Sequence, residues 1–217
     1  MAAPLLAAWG AYTFDDEAFD ERLPTALQMK SSIHFTPVDV ARHAARLLAP
    51  SPGMTVLDVG AGAGKFCLVA ARAVADSKFV GVERRGHLVR LANQLASELG
   101  LANAQFIHGD AVDLDWSTFD GFYLYNPFAE HLLEKAFMLD REIELDPSSF
   151  EGYVDAVRER LAAARVGTRL VTYHGFGGAP PSGYELVVTE VIGSDRVELW
   201  VKTRSTTRPY RRVEVPE

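Results

Sequence analysis

One stretch constrains the fold of this chain more than any other: MTVLDVGAGAGKFCLVAARAVAD, over residues 54–76. Residues 54–60 are apolar and β-branched, as in a buried strand, and residues 65–76 repeat apolar side chains with helical spacing. Three glycines, at positions 60, 62 and 64, connect the two. A strand that turns through glycines directly into a helix is typical of the first unit of a sheet whose strands are connected by helices. We therefore predict an α/β protein with a largely parallel sheet.

The same alternation of strand and helix patterns continues along the chain. Further strands are predicted at 78–83, 104–110, 119–125 and 168–175. Further helices are predicted at 35–53, 87–100 and 128–139, and from about residue 147, where Ser148 or Ser149 would be the N-cap. The last apolar runs, over 184–203, meet at a Gly193-Ser194-Asp195 turn, which predicts an antiparallel hairpin. The predicted fold is a doubly wound, mostly parallel seven-stranded sheet with this C-terminal hairpin and N-terminal helices.

Length and composition favour one domain. A chain of 217 residues with 48% hydrophobic content can bury one substantial core, and no linker divides it. We expect a single domain over 1–217, made of a helical cap over 1–49, an α/β core over 50–203 and a tail over 204–217. The single Cys67 excludes an internal disulfide and any multi-cysteine metal site.

Charge and hydropathy indicate a cytoplasmic protein without a membrane segment. The N-terminus has no basic region typical of a signal peptide, and no apolar stretch approaches the roughly 20 residues that cross a bilayer. The formal net charge of −7 gives no general attraction to phosphate backbones. Five basic residues gather near the C-terminus and are expected to form a solvated tail: Lys202, Arg204, Arg208, Arg211 and Arg212.

The glycine loop is expected to bring backbone N–H groups against a ligand, and its flanking residues indicate which kind. Read from Gly60, the dinucleotide pattern G-x-G-x-x-G/A fails at Lys65. The phosphate-loop pattern would need glycine at Val59 and Ser or Thr at Phe66. Asp58 would repel a pyrophosphate but can accept hydrogen bonds from an ammonium, so the ligand should carry a positive end.

Acidic residues at the ends of two predicted strands indicate the other parts of this ligand. Glu83 ends the second predicted strand, where a carboxylate can accept hydrogen bonds from both hydroxyls of a ribose. Asp110 ends the third strand and, with Ala111, is placed to bind an adenine amino group. A ribose, an adenine and an amino-acid ammonium together describe S-adenosylmethionine.

On these residues the chain resembles the class I, Rossmann-like S-adenosylmethionine-dependent methyltransferases. The match consists of Asp58 with the glycine loop, Glu83 and Gly109-Asp110-Ala111, and it covers about residues 50–203. The resemblance implies S-adenosyl-L-methionine as cofactor. No metal is expected, because the histidines of the chain show no ligand spacing. The expected cofactor-binding residues are Thr36, Pro37, Asp58, Gly60, Ala61, Gly62, Gly64, Glu83, Arg84, Asp110, Ala111 and Asn126.

The polar break Asn126-Pro127 is the predicted catalytic centre, because ligands of such sheets lie outside the carboxyl ends of the strands. It resembles an N-P-P-[FYW] signature, shortened by one proline, and residues 34–37 resemble a segment that covers the cofactor in such enzymes. Asn126, Pro127, Phe128 and Tyr125 are the expected catalytic residues, with Phe128 and Tyr125 flanking the acceptor. Tyr173 and His174 are weaker candidates for the opposite side.

The predicted function is methyl transfer to a nitrogen of a protein side chain or small molecule. Three alternatives stay open: a non-catalytic S-adenosylmethionine-binding protein, a nucleic-acid adenine N-methyltransferase and an NAD-dependent oxidoreductase. The shortened motif and acidic charge count against a flipped base. Lys65, Arg84 and Arg85 are expected to be solvated or paired at the surface, and Cys67 to be a small core residue. The histidines at 43, 87, 108 and 131 show no ligand spacing.

Overall fold

The structure of the protein is a computed structural model that describes residues 15–134 and 136–206. These residues form the strands β1 Thr55–Val59, β2 Lys78–Glu83, β3 Ala104–His108, β4 Gly121–Tyr125, β5 Arg169–Tyr173, β6 Tyr184–Ile192 and β7 Asp195–Lys202. The α-helices are α1 Asp16–Asp20, α2 Thr25–Gln28, α3 Ser31–His34, α4 Val38–Leu48, α5 Lys65–Ala73, α6 Gly86–Glu98 and α7 Phe150–Ala163.

The strands form one seven-stranded sheet in the order β3-β2-β1-β4-β5-β7-β6. The first five pair in parallel, whereas β7 runs antiparallel to both β5 and β6. This confirms the predicted α/β fold with its C-terminal hairpin. The chain order reverses between β1 and β4, and a crevice at the carboxyl ends of these strands is where such sheets bind ligands.

Both faces of the sheet are buried at the central strands β1, β4 and β5, each face in its own apolar cluster. On β1, Val56 belongs to the cluster that includes α4 and α5, while the next residue, Leu57, belongs to the cluster with α7. Successive side chains of a strand point to opposite faces, so a strand covered on both sides must be apolar throughout. This is why the strand patterns read as unbroken apolar runs.

The prediction of a helix over residues 128–139 is wrong. Apart from residue 135, this stretch holds one short 3-10 turn, Ala129–Leu132, followed by an irregular segment. Side chains bind the backbone of Leu139 instead: Glu130 Oε1 accepts from its N–H, which a helix would pair internally, at 2.6 Å, and Lys30 Nζ donates to its carbonyl at 3.0 Å. Tertiary contacts have overridden the helical propensity.

Two smaller expectations also change. The helix α7 has Ser149 at its N-cap with no side-chain hydrogen bond; the Asp146 carboxylate instead accepts from Ser148 N–H at 2.9 Å in the preceding turn. Lys202 is not part of a solvated tail, because it is 1% exposed and its Nζ donates to the Leu161 carbonyl at 3.1 Å. It thereby satisfies a carbonyl in the last turn of α7.

Other expectations about the ends of the chain lie outside the described residues. Arg208, Arg211 and Arg212 fall there, as do residues 1–14 of the predicted cap. The division into cap, core and tail stays a prediction. Within the part that the structure describes, no helix has both the length and the apolar composition of a membrane span.

Candidate active site

The glycine loop after β1 is packed between two other segments. Gly60 and Gly62 have left-handed backbones, with φ of 76° and 55°. A Cβ on Gly60 would lie 3.3 Å from Pro127 Cβ, and a Cβ on Gly62 would lie 2.9 Å from the Phe35 ring. Only glycine combines this backbone conformation with such close approach. The Asn126-Pro127 turn is thereby fixed directly on the loop.

The expectation that this loop offers bare N–H groups to a ligand is wrong for three of its residues. The Gly60 and Ala61 N–H groups donate to the Val82 carbonyl at 3.0 and 2.9 Å, and Gly62 N–H donates to Glu83 Oε2 at 3.0 Å. The neighbouring strand β2 therefore satisfies the donors that would otherwise bind phosphate oxygens. This arrangement does not suit the pyrophosphate of a dinucleotide.

A cavity of about 320 Å³ opens between the glycine loop, the ends of β2, β3 and β4, and the segment that follows β4. This volume lies in the range of small-molecule and cofactor sites. Of the predicted site residues, it is lined by Gly60, Gly62, Glu83, Arg84, Asp110, Ala111, Tyr125, Asn126, Pro127, Phe128 and His174. The structure thus brings both acidic strand ends and the Asn-Pro turn to one site.

Not every predicted residue reaches the site. Gly64 and Pro37 line neither this cavity nor its smaller neighbour. Gly64 instead allows close packing, since a Cβ there would lie 2.6 Å from the Phe106 ring and 2.9 Å from Ala92 Cβ. Pro37 is the N-cap of α4. Tyr173 is fully buried and donates its hydroxyl hydrogen bond to the Ile192 carbonyl at 3.1 Å, away from the cavity.

Glu83 is positioned by the backbone on both sides of its carboxylate. Its Oε2 accepts from Gly62 N–H, and its Oε1 accepts from Arg85 N–H at 2.9 Å. A carboxylate has about four lone-pair sites, so two or so remain for a ligand. Because Glu83 is only 7% exposed and lines the cavity, hydroxyl donors of a ribose fit those sites.

Beside Asp110 the cavity contains a tyrosine that the sequence did not indicate. The Tyr153 hydroxyl on α7 donates to Asp110 Oδ2 at 2.8 Å and accepts from Arg84 Nη1 at 3.0 Å. The Phe128 ring stacks on Tyr153, with centroids 5.0 Å apart and planes 19° apart. Phe128 is 7% exposed and lines the cavity, and its role in flanking the acceptor stays a prediction.

A second, smaller cavity of about 20 Å³ adjoins the first and is lined by Asp58, Ala61, Thr36 and Lys65 among others. Asp58 is 4% exposed, and its Oδ2 accepts from Cys67 Sγ at 3.6 Å. Burial raises the Asp58 pKa to about 8, opposed by the Cys67 hydrogen bond and assisted by the negative charge of Glu83. An arriving ammonium would stabilise the ionised carboxylate.

Two cations expected at the surface are buried. Lys65 is 2% exposed and pairs with Asp16 and Asp20 on α1, at 2.7 and 2.8 Å. Arg85 is 4% exposed and pairs with Glu130 at 2.9 Å. The reason is tertiary: α1 and the segment after β4 fold over the ends of β1 and β2 and supply the carboxylates. Both pairs hold covering segments on the site.

The acceptor side is formed by the ends of β4 and β5. Asn126 and His174 are the non-glycine residues with positive φ in the described parts of the chain, at 40° and 56°. Asn126 N–H donates to the Gly175 carbonyl at 2.9 Å, which joins the two turns. The His174 ring contacts Asp195 and Ser194 through its two nitrogens, at 2.9 and 3.2 Å. Strained non-glycine backbones concentrate at functional sites.

Sequence reasoning missed several residues of the site. Tyr153 lies 43 residues beyond Asp110, and no local motif marks it. Ile33 lines the cavity from the N-terminal segment, just before the predicted covering residues 34–37. Within residues 15–134 and 136–206, no three His, Cys, Asp or Glu side chains form a group that could hold a metal ion.

Comparison with known proteins places this geometry in one class. Residues 50–135 match the family model of a methyltransferase domain. Over 94 residues the chain is 33% identical to the Ribosomal RNA small subunit methyltransferase G of Marinobacter nauticus, covering 43% of this chain and 38% of that protein. Over 51 residues it is 47% identical to a tRNA (guanine-N(7)-)-methyltransferase of a Synechococcus strain, covering 24% of this chain and 22% of that protein.

A solved structure extends the likeness across the fold. The RNA methyltransferase of Salinibacter ruber, crystallised with S-adenosyl-L-homocysteine, superposes with a TM-score of 0.52 at 23% identity, covering 84% of this chain and 96% of that one. This chain therefore shares its fold with a methyltransferase, which confirms the predicted α/β fold, and its residues 50–135 match a methyltransferase domain.

Proposed function

We propose that this protein transfers a methyl group from S-adenosylmethionine to a nitrogen acceptor held at Asn126. One observation supports the proposal most directly: the turn at Asn126, whose backbone is left-handed, packs on the glycine loop, with Pro127 against Gly60. A side chain fixed there borders both the cofactor site and the open side of the cavity. Rigid placement of this kind is the main contribution that a protein makes when the transferred group is already activated.

The residues present fit the cofactor. Glu83 would accept hydrogen bonds from the ribose hydroxyls, and Asp110 with Ala111 would border the adenine between Phe128 and Val82. Asp58, buried under the loop, would face the ammonium through the smaller cavity. The N–H groups of Gly60, Ala61 and Gly62 are occupied, which favours this ligand over NAD.

At the acceptor side, Asn126 would orient the nitrogen. When bound, S-adenosylmethionine supplies a sulfonium-activated methyl, so the nitrogen lone pair forms the C–N bond as the C–S bond breaks. The Asn126 side-chain oxygen would accept an N–H of the acceptor and turn its lone pair towards the cofactor. Tyr125 would line the entrance, its hydroxyl held by the Ile33 carbonyl at 3.3 Å. The proton released from nitrogen would leave to solvent.

A nucleic-acid acceptor is the second candidate. Both curated relatives described above are named as RNA methyltransferases, which favours it. The chain spans only about two fifths and one fifth of those proteins, so their acceptors are not carried over with the cofactor site.

The first test is ligand-dependent stability. S-Adenosylhomocysteine at about 100 times its dissociation constant should stabilise the fold by about 2.7 kcal/mol, visible as a melting shift, and NAD should give no shift. A shift with NAD and none with the adenosyl ligand would favour the oxidoreductase alternative. Cofactor binding without transfer of label to any fraction of a cell extract would identify a non-catalytic binding protein.

The second test is Asn126→Ala. Single-turnover transfer from labelled cofactor should fall roughly a hundredfold or more, while cofactor affinity stays near that of the parent, because only acceptor positioning is lost. Asn93→Ala, on the exposed side of α6, is the matched control and should retain the parent rate. Transfer by Asn126→Ala at the parent rate would show that the turn has no role in orienting the acceptor.

A further inference from the structure

Exposed apolar side chains concentrate beside the cavity. Of the nine large hydrophobic side chains that are exposed in the described residues, four lie on the two segments that border it. They are Met29 at 73% exposure, Ile33 at 50%, Leu132 at 58% and Phe137 at 53%, and we call them the rim patch. Grouped exposed apolar side chains mark interaction sites, whereas isolated ones are ordinary.

The two segments are joined to each other at the cavity. The His34 ring Nε2 contacts the Phe137 carbonyl at 2.8 Å, and Lys30 Nζ donates to the Met138 carbonyl at 2.5 Å. Ile33 and Leu133 line the cavity itself. Ile33 of the rim patch therefore lines the same cavity as Asn126, and the other three side chains lie on segments that border this cavity.

The charge around this opening is negative. From residue 129 to residue 151 the sequence has the acidic residues Glu130, Glu134, Asp140, Glu142, Glu144, Asp146 and Glu151 against Lys135 and Arg141. Residues 15–34 have Asp15, Asp16, Glu17, Asp20 and Glu21 against Arg22 and Lys30. Arg85, His87 and Lys65 pair with some of these carboxylates. Glu17, Glu21, Glu134 and Glu144 remain exposed on the two segments.

We infer that the rim patch docks a polypeptide acceptor that presents a basic side chain, with apolar neighbours, to Asn126. This rests on the proposed function and assigns its substrate class. Apolar side chains on the acceptor would pack on Met29 and Phe137, and the surrounding carboxylates would attract its cationic group. This group would release a proton to solvent before its neutral nitrogen accepts the methyl group at Asn126. A nucleic acid would need clustered Lys and Arg here, and the two segments have an excess of acids instead.

The test compares two double variants. Met29→Ser/Phe137→Ser removes two of the three apolar side chains of the rim patch that do not line the cavity. The matched control, Val166→Ser/Val191→Ser, removes two exposed valines, one in the connection between α7 and β5 and one on β6. The probes are a set of synthetic peptides, each with one lysine or arginine between apolar residues, and total RNA. Labelled cofactor reports transfer, and S-adenosylhomocysteine titration reports binding.

We expect label in peptides and none in RNA. For the best peptide, kcat/KM should fall about tenfold or more in the rim-patch variant, mainly through KM, and stay within about twofold in the control, with cofactor affinity unchanged in both. Label in RNA alone, or equal transfer by the rim-patch variant and the parent, would overturn the inference and leave the proposed function intact. Failure of the parent to bind the cofactor would overturn both.

Discussion

Replacing Asp58 with asparagine should remove a pH-dependent penalty on the stability of the ligand-free protein. The carboxyl group is buried beneath the glycine loop, and its pKa is raised from 3.8 to about 8, first by burial and further by the charge of Glu83. Among the residues that the structure describes, it forms no salt bridge, and its side-chain hydrogen-bond partner is the Cys67 thiol, 3.6 Å away. Asparagine keeps the shape of the side chain and is neutral at every pH.

The sign and size of the effect follow from linkage. Between pH 3.8 and about 8 the folded protein binds a proton at Asp58 that the unfolded chain has released, so stability falls as pH rises through this window and levels off above it. One unit of pKa difference corresponds to about 1.36 kcal/mol. Between pH 6 and pH 8.5 the parent should therefore lose about 2–3 kcal/mol relative to Asp58→Asn.

The assay is urea unfolding of both proteins at pH 6 and pH 8.5 without ligand. Other titrating groups are shared, so the difference between the two free energies of unfolding isolates Asp58. The control is Asp39→Asn, whose carboxylate is 82% exposed and should give a difference that does not change with pH. A parent-to-variant difference that is constant to within about 0.5 kcal/mol would refute a buried, protonated Asp58.

Two further predictions concern charged groups of the site. Glu83→Ala should weaken S-adenosylhomocysteine binding by about 1.5–3 kcal/mol, the range for hydrogen bonds to a charged group, measured by calorimetric titration; unchanged affinity would remove Glu83 from the ribose site. Lys65→Met should lower the free energy of unfolding by about 2–3 kcal/mol, because Asp20 would keep a partly buried charge while Asp16, at 52% exposure, is screened by water. Unfolding at the parent midpoint would show that α1 is not held by this pair.

Much of the fold could be predicted because its signals are local. A strand buried on both faces is an apolar run, and a left-handed backbone after β1 requires glycine, so the 54–76 stretch indicates strand, turn and helix by itself. Parallel strands end at one edge of a sheet. For that reason Glu83, Asp110 and Asn126, each predicted at a strand end, were expected together, and the structure places all three on one cavity.

What the sequence could not determine depends on contacts between distant residues. The local sequence of residues 128–139 favours a helix. The segment is irregular because Glu130 and Lys30 bind its backbone and Arg85 pairs with Glu130. Lys65 and Arg85 look like surface cations until α1 and the segment after β4 bring carboxylates to them.

The packing of the Phe128 ring is a further feature of the site that depends on contacts between distant residues. Its place after Asn126-Pro127 predicts a wall of the acceptor site, but no local pattern indicates that its ring stacks on Tyr153, on a helix 25 positions further along the chain. Periodicity and turn chemistry act over a few residues and therefore determine the elements and the strand ends. Burial of charges and orientation of rings depend on which surfaces meet, and only the folded chain decides that.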